Sequence, residues 1–87
     1  MKLFCESVTV QTGPQKQPIL IFWRGKSYRV QSVQEIWEWR GRWWETPALR
    51  GYRRRYYHLL CHTPQGNSLC LEVYCQQGQW TLSRVLD

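Results

Sequence analysis

Through most of this 87-residue chain, apolar and polar residues alternate with a period of two, and β-branched and aromatic side chains fill the apolar positions. Successive side chains on an extended backbone point to opposite faces, so this pattern predicts strands nearly throughout and leaves little room for helices. Phe4 to Val10 reads as a first strand ended by Thr12-Gly13-Pro14, and Pro18 opens a second run from Ile19 to Trp23. A two-residue type II′ turn at Gly25-Lys26 sets Trp23 opposite Tyr28 and Ile21 opposite Val30 on one face.

Between Gln31 and Trp39 the parity changes: Tyr28 and Val30 are even-numbered, whereas Val33, Trp37 and Trp39 are odd. A bulge near Ser32 restores the alternation and bends the strand. A short helix over Ser32 to Trp39 is the rival reading, and the flanking β pattern favours the strand. Arg40-Gly41 then turns the chain into Trp43-Trp44, and Glu45 to Gly51 reads as loop.

The last third is a meander of three strands, Arg53 to Thr63, Ser68 to Cys75 and Gln79 to Val85. Turns centred on Gln65-Gly66 and Gln77-Gly78 place Leu60 opposite Leu71, His58 opposite Val73, Cys75 opposite Trp80 and Val73 opposite Leu82. That face is assigned to the core together with Tyr56 and Leu69. Tyr57, Leu59, Cys61, Cys70, Glu72, Tyr74, Thr81 and Ser83 fall on the other face. The expected fold is all-β: one domain over residues 1–87, built as a small, strongly bent antiparallel sheet or partly open barrel of SH3-like or OB-like size. It has six to seven short strands, with an N-terminal strand and loop over residues 1–18.

A chain this short holds one hydrophobic core, which disfavours a two-domain enzyme. The N-terminus lacks the apolar run of a signal peptide, and the longest apolar stretch, Ile19 to Trp23, is far too short to span a bilayer as a helix. A cytoplasmic protein without membrane attachment is expected, with Cys5, Cys61, Cys70 and Cys75 as thiols. Twelve Lys and Arg against six acidic residues give a net charge of +6, and nine of the twelve cations are Arg. That balance favours polyanionic partners, and Arg suits bidentate phosphate contacts and stacking.

His58, Cys61, His62, Cys70 and Cys75 suggest a metal site, but no Cys-x-x-Cys is present, and the register above puts Cys61 and Cys70 on one face and the other three on the opposite face. Cys61 beside His58 or His62 is the sole candidate nucleophile and base. Residues adjacent or three apart on a strand point apart, which separates the two functions. Glu35 and Glu38 read as solvated neighbours, and Glu72 as the partner of a cation. No glycine-rich phosphate loop is present and no cofactor is expected.

The distinctive segment is Trp37-Glu38-Trp39-Arg40-Gly41-Arg42-Trp43-Trp44, followed by Arg50-Gly51-Tyr52-Arg53-Arg54-Arg55-Tyr56-Tyr57. Interleaved Arg and aromatic residues suit single-stranded nucleic acid, because cations track the backbone while rings stack on bases. The expected binding set is Arg40, Arg42, Arg50, Arg53 and Arg55, with Trp43, Trp44 and Tyr52 as stacking platforms. With Tyr56 inward, Arg54 points inward and Arg53 and Arg55 point out. The plainer reading is a basic edge that blocks strand pairing beside a Trp-rich core.

Phe22-Trp23-Arg24-Gly25-Lys26-Ser27-Tyr28-Arg29-Val30, Trp37, Gly41-Arg42-Trp43-Trp44, Arg54-Arg55-Tyr56-Tyr57 and the closing Gly78 to Asp87 together resemble a small uncharacterised bacterial domain family. Its pattern is F-x-W-x-G-x-x-Y-x-V, then W-W, R-x-Y-Y and G-x-W-x-L-x-R-V-x-D. Here Phe22 directly precedes Trp23, and Leu86 stands where an aromatic is frequent. The resemblance runs from Ile19 onward. It implies proximity to Y-family (translesion) DNA polymerase proteins and a DNA-repair setting, and it brings no catalytic residues. The expected function is a non-enzymatic domain that binds single-stranded or locally opened nucleic acid as an accessory module. Two alternatives stay open: a protein-interaction module docking its Trp43-Trp44 edge on a polymerase-like partner, and a metal or thiol enzyme built on Cys61, Cys70, Cys75 and the histidines. A homodimer through a strand edge is also compatible with the sequence.

Overall fold

The alternating segments form six strands in a computed structural model that describes residues 2–40 and 53–86. They are β1 (Lys2–Thr12), β2 (Pro18–Trp23), β3 (Lys26–Arg40), β4 (Arg53–His62), β5 (Ser68–Gln76) and β6 (Gln79–Val85). No helix occurs among the described residues. Each strand pairs antiparallel with the next, and β1 pairs with β6, so the sheet closes into a small barrel. The all-β expectation holds, with full closure in place of a partly open barrel.

Turn chemistry sets the register. Arg24 and Gly25 both take positive φ, 51° and 74°, the pairing a type I′ turn requires. The hairpin therefore turns one residue earlier than expected: Trp23 faces Lys26 and Ile21 faces Tyr28. Arg24 is held in this unusual conformation by its side chain, which packs over the Phe4 and Trp23 rings and donates to Glu6 at 3.1 and 2.6 Å. The Gln77-Gly78 turn has the same form, and Cys75 opposite Trp80 and Val73 opposite Leu82 are as predicted.

The β4–β5 loop corrects a larger part of the reading. It is a five-residue loop in which Thr63 N donates to Asn67 O at 2.8 Å and Gly66 N donates to Thr63 O at 2.9 Å. An odd loop reverses the parity that an even one gives. Leu59 therefore opposes Leu71 and Tyr57 opposes Val73, while Leu60 opposes Cys70 and His58 opposes Glu72. Tyr57, Leu59 and Cys61 are the buried residues of β4. Tyr56, His58 and Leu60, expected in the core, lie on the outward face.

β3 is the predicted strand, and the expected bulge near Ser32 falls at Gln31. A second register shift leaves Gln34 as another extra residue. Two bulges sharpen the curvature that a six-stranded barrel needs. The second also changes faces: Val33 packs against the core opposite Leu59, whereas Trp37 and Trp39 pair with Tyr56 and Arg54 on the outside. Inside, Ile21, Leu59, Cys61, Leu71, Val73 and Leu82 are wholly buried.

Candidate functional site

The outward faces of β3, β4 and β5 carry a row of rings near the end of the barrel where β3 finishes and β4 begins. Trp37 stacks on Tyr56 with centroids 5.2 Å apart and planes 4° from parallel, and Tyr56 lies 5.2 Å from Tyr74. Such contacts follow from register, since same-face neighbours on adjacent strands sit about 5 Å apart. Arg54 completes the row: its guanidinium carbon is 4.6 Å from the Tyr74 ring and 5.5 Å from that of Trp39. It is fixed there by hydrogen bonds donated to Gln76 Oε1 at 3.0 Å and Tyr56 Oη at 3.4 Å. Trp37 and Trp39 keep 37% and 43% of their surface exposed. Two large rings are thus presented to solvent beside a pinned cation.

An ionic cluster braces the row. Glu72 also faces outward, yet it is only 2% exposed, because it accepts from Arg84 Nε at 2.8 Å and lies 2.8 Å from His58 Nε2. Burial pushes its carboxyl upward, but hydrogen bonds from His58, Ser83 and Arg84 outweigh that and hold it below the usual range. An ionised carboxylate only accepts, so the His58 Nε2 carries the hydrogen. The other nitrogen, Nδ1, lies 3.7 Å from Glu35. Trp37 meets the fixed imidazole edge-on with centroids 4.6 Å apart.

On the interior side of the same end, alternation along β4 brings Arg53 and Arg55 into line with the buried Tyr57. The three line an open cavity of about 480 Å³ with Thr12, Lys16, Glu38, Cys75 and Trp80. Among the described residues, three cations and one carboxylate line this cavity over a floor of Tyr57 and Trp80, whose centroids are 5.3 Å apart. The remote Arg24 is by contrast engaged by Glu6, which hydrogen bonding to that guanidinium holds below the ordinary carboxylate range.

A family model described as "Domain of unknown function (DUF6504)" matches residues 1–87. The chain belongs to this family. No curated protein and no solved structure matches it. The match includes the first 18 residues, which the resemblance left out, and in the barrel these supply the whole of β1, the strand that closes the DUF6504 sheet.

Of the binding residues expected in this DUF6504 domain, Arg53 and Arg55 meet at the cavity. Arg40 is the last residue of β3, paired with Arg53. Arg42, Trp43, Trp44, Arg50 and Tyr52 lie outside the described residues, as do the turn at Gly41 and the loop from Glu45. The orientation of the triple Arg is the reverse of that expected: Arg54 faces outward among the rings, and Arg53 and Arg55 face the cavity, because the odd β4–β5 loop shifts β4 by one residue. Trp37, Trp39, Tyr56, Tyr74 and Lys16 were not in the expected set; the parity of that loop decides the face of Tyr56 and the bulge at Gln34 that of Trp37 and Trp39, while Tyr74 already stood on the non-core face.

The cysteines are free. Cys61 is inward and fully buried, and burial, with a smaller contribution from Cys70, pushes its thiol up to about 12. A thiol so placed stays protonated and inert near neutrality. Cys61 and Cys75 are on the interior parity and Cys70, His58 and His62 on the outer one, a different division from that expected. Among the described residues no three His, Cys, Asp or Glu side chains gather as a metal-holding group.

Proposed function

We propose that this DUF6504 domain is a non-enzymatic module that binds single-stranded or locally opened nucleic acid. The observation that carries the reading is the pair of exposed indoles, Trp37 and Trp39, set beside the pinned Arg54 on one face of the sheet. Bases offer a π-face whatever their sequence, and stacking each on a protein ring contributes about 1–3 kcal/mol. Phosphates are drawn by the net charge of +6 and by the three consecutive Arg at the start of β4. In duplex DNA the base faces are occupied by their neighbours, so rings displayed in this way favour unpaired strands. The link to translesion polymerases and to repair rests on the sequence resemblance alone, and no site residue depends on it.

Replacing Trp37 or Trp39 with Ala, each measured by fluorescence anisotropy on a labelled single-stranded oligonucleotide, is expected to weaken binding by about fivefold or more, from the lower end of the stacking range. Both variants should keep the wild-type melting temperature within a few degrees, since neither ring fills the interior. Unchanged affinity in folded variants contradicts the assignment of the rings. Retention of a protein partner at salt that strips nucleic acid favours an interaction module in its place.

A further inference from the structure

We infer that the cavity at the barrel end is a pocket for a phosphate monoester on a nucleoside, presented as the end of a single strand or as a free nucleotide. The inference rests on the nucleic-acid reading above and adds to it a preference for a terminal phosphate. A volume of about 480 Å³ falls in the range of small-molecule pockets. Its charge is the more specific feature. Among the described lining residues, Lys16, Arg53 and Arg55 against Glu38 leave two positive charges in excess. A terminal monoester carries nearly two negative charges at pH 7, whereas each internal diester carries one, so the lining complements the strand end better than its interior. Tyr57 and Trp80 supply an aromatic floor against which the attached base can lie.

The cations also come from opposite sides of the opening. Arg53 and Arg55 stand on β4, and Lys16 on the β1–β2 loop, two strands away around the barrel. Lys16 holds a left-handed backbone conformation, with φ of 63°. The β1–β2 and β4–β5 loops share one hydrogen-bond pattern: Gly13 N donates to Gln17 O and Lys16 N to Gly13 O, as Thr63 N donates to Asn67 O and Gly66 N to Thr63 O. The equivalent position in the second loop is Gly66, with φ of 89°. Glycine takes this conformation without the steric cost a lysine bears. A lysine in that place adds nothing to the loop and sets a cation at the rim of the cavity.

The intact domain is titrated by calorimetry at low salt with a nucleoside 5′-monophosphate and with the bare nucleoside. Saturable binding of the monophosphate, at least tenfold tighter than the nucleoside, is expected. Arg55→Gln and Lys16→Gly should each weaken it about tenfold, and Lys16→Gly should do so without lowering the melting temperature. Trp37→Ala should leave it unchanged. Oligonucleotides ending in a 5′-phosphate, a 3′-phosphate or hydroxyls then separate a strand end from a free nucleotide: tighter binding of one phosphorylated end assigns the strand end, and equal binding of all three assigns the free nucleotide. Equal affinity for nucleoside and monophosphate, or wild-type affinity in the folded Arg55 and Lys16 variants, overturns the pocket. If that happens while Trp37→Ala still weakens strand binding, the ring reading stands without it; the opposite pattern leaves a nucleotide pocket and removes the ring reading.

Discussion

Glu72 stands on the outward face of β5 and is nonetheless buried, satisfied by His58 and Arg84. The pairing with a cation was legible in the sequence, but the burial was not, because it depends on side chains from β4 and β6 converging over one carboxylate. Its carboxyl is held below the usual 4.5 in the folded state. A lowered folded pKa contributes stability that is present above the unfolded value and is lost as pH falls through the folded one. Glu72→Gln should therefore destabilise the domain at pH 7, by about 1–3 kcal/mol for a broken buried charged hydrogen-bond set, and the difference from wild type should shrink as pH falls below the usual 4.5 and through the lowered folded value. Melting temperatures measured from pH 7 to pH 3 check this. Parallel curves for the two proteins contradict it.

At the level of elements, most strand positions could be read from alternation; the β2–β3 hairpin turns one residue early but keeps its faces, whereas two other registers were misread across faces. The segment Pro64-Gln65-Gly66-Asn67 has residues suited to a turn of either parity, and the odd loop that forms is decided by Thr63, whose backbone N–H bonds to Asn67 O and whose hydroxyl accepts from Asn67 N. The bulge at Gln34 has no glycine or proline to mark it, and the apolar character of Trp37 and Trp39 argued for burial when the strand in fact turns them out. Both errors exchange inside for outside, which is why the expected core held Leu60 and the expected site lacked the ring row. Leu59→Ala should cost about 2–5 kcal/mol in denaturant unfolding, as for a fully buried leucine. Leu60→Ala should cost well under half as much. The reverse order contradicts the register.

Over the whole molecule, closure of β1 on β6 removes the free edges that a small sheet otherwise exposes to partners. Recognition then falls to faces and openings, and here an aromatic row and a basic cavity lie back to back at one end of the barrel. The basic and aromatic character of this region was visible in composition, whereas the division of Arg53, Arg54 and Arg55 between two faces required the register. The most direct measurement is titration of intrinsic tryptophan fluorescence with single-stranded and duplex oligonucleotides of equal length at two salt concentrations. Saturable quenching is expected, tighter for the single strand, with log affinity falling against log salt by about 0.7 for each phosphate contacted. Equal binding of both forms, or no response at micromolar protein, contradicts the proposal that these rings and arginines bind unpaired strands.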